Sequence, residues 1–267
     1  MRFSISLVAT ALCAGLYAVG SYITAYIPSP WGFGQFRPAV VIPSFFAIVF
    51  GPMPSGLGSA IGTLIVDSVK HGYLYEGSLF AAVPGNFLGF YLFGHILRKR
   101  FTWSRFILAS NLTLTLSNLM VATLYVFVFK VLYLGQLSEL SLDALAFLVI
   151  GLTVWWFVTM LPFVLLVTPP LIRAAVSAFP TLVPEDVRAH SLQRELPRKT
   201  LGLAMLVPGT IMLLIGLATS FTALGMYLLD FFGALTKDLV QIMFYVSGST
   251  LSMLGSIILV SKSSPET

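Results

Sequence analysis

Eight side chains able to bind a ligand or move a proton fall in three short stretches of an otherwise apolar chain. Arg37 lies in "FGQFRPAVVIP", Asp67, Lys70, His71, Tyr73, Tyr75 and Glu76 in "VDSVKHGYLYEG", and Asn86 in "VPGNFLGF". An ionised group at the centre of a bilayer costs about 2.5–3.5 kcal/mol on insertion scales, so such residues pair with one another or line a cavity. Asp67 stands three residues before Lys70, a spacing that suits a helix ion pair as well as a ligand contact. Arg37 is either an interfacial anchor or a planar fork for a ligand carboxylate or phosphate. Asn86 either hydrogen-bonds a neighbouring helix or contacts a ligand. Tyr22, Tyr26 and Trp31 fit an aromatic interface belt, whereas Trp155 and Trp156 fall deeper, where one of them can stack on a ring-shaped ligand or simply pack in the core. The expected substrate-binding set is Arg37, Asp67, Tyr75, Asn86 and Trp155.

Other chemistries lack their residues. No G-x-x-x-x-G-K-[ST] stretch exists, so the chain carries no recognisable phosphate loop. His71, His95 and His190 are scattered, without H-E-x-x-H or paired-cysteine spacing, and no metal site or cofactor is expected. G-x-S-x-G is absent, and the single cysteine, Cys13, cannot close an intramolecular disulfide. Catalysis in this chain is not expected.

The elements that position these residues are membrane helices. The chain is 57% hydrophobic and 9% charged, far below the roughly one-quarter charged content of soluble domains. Hydropathy predicts an all-α protein of about eight crossings, near 5–27, 38–51, 54–70, 79–97, 104–132, 143–172, 200–222 and 238–261. The second is too short to span alone and is tied to the third by the turn "GPMPSG". The first apolar stretch runs about twenty-three residues, which favours a retained helix over a signal peptide. Eleven of the fifteen lysines and arginines fall on one side if the N-terminus is cytoplasmic, leaving Arg37, Lys70, Lys130 and Lys237 outside. Both termini are therefore expected in the cytoplasm of a multi-pass plasma-membrane protein. The polar stretch from Arg173 to Lys199 suggests a division into residues 1–175, a cytoplasmic basic loop over 176–199, and a helix pair over 200–267.

Small residues recur at helix-face spacing: Ala14 with Ala18, Ala11 with Gly15 on an adjacent strip, and Gly58 with Gly62. The Ala14 and Ala18 face can pack inside the protein or against a partner. The succession "FRPAVVIPSFFAIVFGPMPSGLGSAIGTLIVDSV", "PGNFLGFYLFG" and a basic "RKR" resembles the substrate-binding S components of energy-coupling factor transporters, over roughly residues 5–172. The resemblance implies a six-helix bundle that captures a vitamin or related trace nutrient from outside. It also implies partners, a transmembrane T component and two cytoplasmic ATPases, met through the Ala14 and Ala18 face. The ligand site would open outward beneath the loop of about residues 28–37, with Arg37 at its mouth. The C-terminal pair lies outside the resemblance. The alternative is a self-contained proton-coupled transporter using Asp67 or Asp230, and a membrane enzyme acting on lipids is a more distant third.

Overall fold

Apolar runs punctuated by glycine and proline become helices in the computed structural model, which describes residues 3–191 and 196–261; among these the only β-type pairing is an isolated bridge between Pro28 and Gln35. Arg2, Arg194 and Lys262, counted in the charge asymmetry, lie outside the described residues. The chain forms two compact units, Met1–Leu192 and Gln193–Thr267.

In the first unit α1 is Phe3–Ile23, and a short 3-10 turn, Pro38–Val40, leads into α2, Val41–Phe50, and then α3, Pro52–His71. A π-helical turn, Ser78–Ala82, opens α4, Val83–Arg98; α5, Trp103–Thr123, continues as a π-helical stretch, Leu124–Tyr133; α6 is Leu142–Ala178 and α7 is Glu185–Ser191. The second unit holds α8, Arg198–Phe221, and α9, Ala223–Val260. Among the described residues six helical segments can, by length and composition, cross a membrane: Phe3–Ile23, Ser78–Arg98, Trp103–Tyr133, Leu142–Ala178, Arg198–Phe221 and Ala223–Val260. The protein is thus an all-α, multi-pass membrane protein. Neither limb of the α2–α3 hairpin meets that standard: the first is short, and α3 is diluted by glycine, serine and three ionisable residues.

Two boundaries differ from the sequence expectation. The stretch expected as a loop over 176–199 contains the end of α6 and all of α7, which packs against the start of α5: Asp186 accepts from the Phe101 backbone N–H (2.7 Å) and Trp103 Nε1 donates to the His190 carbonyl (2.8 Å). The last helix begins at Ala223 rather than near 238, because Asp230, Lys237 and Asp238 lower the hydropathy of a segment that is nonetheless helical. It is interrupted at Gly233, whose φ of 80° only glycine adopts readily.

The α2–α3 hairpin explains why an arginine sits beside so short an apolar limb. Gly51 turns the chain with φ 92°, and Pro52 starts α3 where no backbone N–H is needed. Arg37 precedes this turn by fourteen residues, while Thr63 and Asp67 follow it by twelve and sixteen. Both arms climb at similar rates, so the short limb ends level with the middle of that interval and sets Arg37 against Thr63 and Asp67, below the tip of α3.

Close helix contact at α3 depends on missing side chains. A Cβ on Gly58 would lie 2.5 Å from Cys13 Cβ, and one on Gly62 would lie 2.7 Å from the Ala14 carbonyl oxygen, so the G-x-x-x-G face is filled by α1. Ala14 and Ala18 are buried on that same side of α1, Ala18 beside Ala25 and Val66. This corrects the expectation that they form a partner-docking face: the pair packs inside the unit, and the small residues that α1 leaves exposed are those of the adjacent strip, Ala11 and Gly15.

Successive helices of the first unit alternate in direction. The C-terminus of α3, the N-terminus of α4, the end of the π-helical extension of α5 and the N-terminus of α6 therefore share one end of the bundle. Arg37, Lys70 and Lys130 belong to that end; Arg98, Lys99, Arg100, Arg105, Arg173 and Arg188 belong to the other.

Candidate functional site

At the end poor in basic residues the first unit holds a cavity of about 310 Å³, lined by α3, α4, both π-helical segments, α5, α6 and the loop between α1 and α2. The loop is held as a strap. Phe36 N–H donates to the Ile27 carbonyl (2.9 Å), the Thr24 hydroxyl donates to the Phe36 carbonyl (2.7 Å), and the strap lies on α6, where a Cβ on Gly151 would strike the Trp31 ring at 2.2 Å. Gly34, with φ 78°, sits against Trp156 so closely that a Cβ would lie 2.9 Å from its ring. Trp156 Nε1 donates to the Gln35 carbonyl (3.2 Å), which completes the seam between strap and helix. Residues 32–35 of the strap line the cavity directly.

The wall is organised by one buried ion pair. Arg37 Nη2 donates to Asp67 Oδ1, and Arg37 Nη1 donates to Thr63 Oγ1 at 3.0 Å. Gln35 Nε2 also donates to Asp67 Oδ1 (2.6 Å), and the Ser78 hydroxyl donates to Asp67 Oδ2. Arg37 and Asp67 are 7% and 6% exposed, so each charge is removed from water and answered by the other. The helix ion pair that the spacing of Asp67 and Lys70 allows is not made. Lys70 Nζ instead donates to Gln35 Oε1 (3.2 Å) and lies 5.8 Å from the centre of the Tyr26 ring. Arg37 is likewise not a free fork at the mouth, because its donors are turned inward onto Asp67 and Thr63.

The rest of the lining is aromatic and amide. His71 Nδ1 donates to the Asp67 backbone carbonyl (2.7 Å) and its ring stacks on Tyr75 at 3.9 Å, nearly parallel. The Tyr75 hydroxyl meets that of Tyr125 at 3.2 Å. Lys130 Nζ lies 5.6 Å from the Tyr125 ring centre and 5.9 Å from that of Phe33. Asn86 Nδ2 donates to Thr63 Oγ1 (2.7 Å), and Asn118 makes only a long contact with Met160 sulfur (3.7 Å).

Four of the five residues expected to bind substrate, Arg37, Asp67, Tyr75 and Asn86, therefore line one cavity. Trp155 does not. Its neighbour Trp156 takes the inward position, while the Trp155 indole N–H is buried without a hydrogen-bond partner among the described residues. A single residue turns a helix by about 100°, which is enough to exchange the two faces. Trp155→Phe is expected to leave retention of a small molecule by the purified protein unchanged. Trp156→Phe, which loses the bond to Gln35, should weaken retention up to about tenfold by equilibrium dialysis.

Lys130, Tyr125, Asn118 and the π-helical turn over Ser78–Ala82 did not stand out in the sequence. Both π-helical segments face the cavity, with Ser78, Ala81 and Ala82 on one and Tyr125 and Lys130 on the other. Such wide turns concentrate at functional sites, because they re-aim side chains without ending the helix. Among the described residues no cluster of three or more histidine, cysteine, aspartate or glutamate side chains is placed to hold a metal ion.

Comparison of the chain with protein-family models, with curated proteins and with solved structures finds no match.

Proposed function

We propose that this chain is the membrane-embedded substrate-capture subunit of an importer of the energy-coupling factor type, taking up a vitamin or related trace nutrient. The observation that carries the reading is the strap-covered polar cavity at one end of an otherwise apolar bundle. Its position at the end poor in basic residues supports an external site, since lysine and arginine are retained on the cytoplasmic side. Termini, α7 and the Arg188 region are then cytoplasmic. The absence of a phosphate loop in the sequence fits an arrangement in which a transmembrane T component and two ATPases supply the energy. Arg37 and Asp67 act as the wall that holds the pocket open, and the residues with unused hydrogen-bonding capacity around them contact the nutrient. Partner docking falls to a surface other than the buried Ala14 and Ala18 pair.

Reconstitution tests this. Vesicles containing only this chain should bind a small molecule from cell extract and fail to concentrate it, with or without a proton gradient. Accumulation driven by the gradient alone would favour a self-contained transporter. Cysteines introduced near Trp31 in a Cys13-free background should label from outside intact cells, and cysteines near Arg188 should not. The reverse pattern would overturn the orientation.

A further inference from the structure

The cavity's charge is unbalanced. Arg37 and Asp67 answer each other, but Lys70 and Lys130 also line the space, and among the described residues neither ammonium pairs with a carboxylate. Each makes one hydrogen bond to a neutral glutamine, Lys70 to Gln35 and Lys130 to Gln136 (2.8 Å), out of the three that an ammonium can donate. Both are only partly exposed, and aromatic rings stand beside them. A pair of partly desolvated cations in a recess favours an anion, because the low-dielectric walls strengthen the attraction.

The far end of the cavity has a different character. Asn86 reaches Thr63, which lies seven residues before Lys70 on α3, a rise of roughly 10 Å between the two backbone positions along the helix axis. Asn118 is at the same level, since the Ser117 hydroxyl next to it donates to the Gly85 carbonyl next to Asn86 (2.9 Å). Among the described residues neither amide carbonyl is used by the protein, and Asn118 Nδ2 has only the sulfur contact. The two ends thus ask for different groups, an anion at the lysines and a hydrogen-bonding group at the amides. The rings of Tyr75, Tyr125 and Trp156 line the same cavity. A volume of about 310 Å³ is at the small end of the range for ligand sites.

We infer that the ligand of this cavity is a compact, flat organic monoanion, its carboxylate or equivalent group held by Lys70 and Lys130 and its opposite polar end held by Asn86 and Asn118. This rests on the capture reading above and narrows it to one substrate class.

Three probes of nearly equal size and shape separate the possibilities: 4-aminobenzoate, 4-aminobenzamide and 4-aminobenzylamine. Each is titrated by equilibrium dialysis against the full chain in nanodiscs of phosphatidylcholine, which offers no net lipid charge. The acid should bind at least about tenfold more tightly than the amide, and the amine more weakly still, as expected for loss and reversal of a charge-assisted contact. Raising salt should weaken the acid alone. Lys70→Gln and Lys130→Gln should each reduce affinity for the acid about tenfold while leaving the amide within about twofold. Unchanged thermal midpoints in both variants show that the effect is local. Equal or tighter binding of the amide or the amine in the wild-type chain would overturn the anion assignment and leave the capture reading standing, since the cavity would still take a ligand. Acid binding that survives both substitutions would also overturn it. Binding of none of the three at about 10 mM, weaker than any useful capture, would overturn both.

Discussion

Asp67→Ala should lower the unfolding free energy of the first unit by about 3–5 kcal/mol, the range found when one partner of a buried ion pair is removed. Arg37 would then keep its charge, 7% exposed, with the Thr63 hydroxyl as acceptor and the Tyr17 hydroxyl close by, but no carboxylate. The Gln35 amide and Ser78 hydroxyl would lose their acceptor in the same step, and each unsatisfied buried group adds to the penalty. Arg37→Ala strands the carboxylate instead and should be comparably damaging. The informative variant combines Arg37→Met with Asp67→Leu, which replaces both charges by apolar groups of similar bulk. It should recover most of the loss, because the Coulombic attraction of such a pair roughly offsets its desolvation. Thermal unfolding in detergent, compared across the two single variants and the double, measures the coupling. Additive losses in the double variant would mean that the two residues stabilise the fold independently, contrary to the geometry.

The second large effect is expected in the C-terminal pair. Gly202, Gly209 and Gly216 recur every seventh residue on α8, and Gly248 and Gly255 do so on α9. A Cβ on Gly209 would lie 2.6 Å from the Ser252 amide nitrogen and 2.9 Å from the Gly248 carbonyl oxygen; one on Gly255 would lie 2.6 Å from the Leu206 nitrogen. These are backbone atoms, which cannot rotate away as a side chain can. In lipid the hydrophobic effect does not hold helices together, so close backbone packing of this kind carries the association. Gly209→Leu should therefore push α8 and α9 toward the roughly 8–10 Å interaxial separation of helices that carry full side chains, and weaken the pair by about 3 kcal/mol or more. Spin labels on the exposed Val207 and Met253, in a Cys13-free background, report the separation by pulsed electron resonance. Gly15→Leu on the exposed side of α1 is the control, since a Cβ there meets nothing within 4 Å. An unchanged label distance in Gly209→Leu would show that the glycine spacing is incidental to the pairing.

The helical class and the approximate place of most apolar segments were legible because hydropathy and glycine or proline punctuation are local signals. So was the cavity end of the bundle, since polar residues in a lipid-soluble chain have few places to go. The pairing inside it was harder to see. Lys70 is the local neighbour of Asp67, and helix spacing draws attention to it; the true partner, Arg37, is reached through the hairpin turn. Equal arm lengths about Gly51 do encode that contact, but only once the turn is known to be tight. Trp155 and Trp156 could not be separated, because the choice depends on the rotational phase of a 37-residue helix containing Pro162, Pro169 and Pro170. Lys130 and Tyr125 were missed for a related reason. They lie where α5 widens into π-helical turns, and a count at 3.6 residues per turn assigns such residues to the wrong face. The seven-residue glycine spacing is plain in hindsight, yet it is diluted among 22 glycines, most of which serve turns or other contacts.

The strap between α1 and α2 has a kinetic consequence. It is fastened by Trp31 over Gly151 and by Trp156 to Gln35, and that same Gln35 also reaches Asp67 and Lys70. A molecule that passes beneath the strap does so only while those fastenings are undone together. An obstacle that must be cleared in both directions slows arrival and departure by the same factor and leaves the equilibrium constant unchanged. Residence time is then a property of the strap, separable from the strength with which the walls hold their guest.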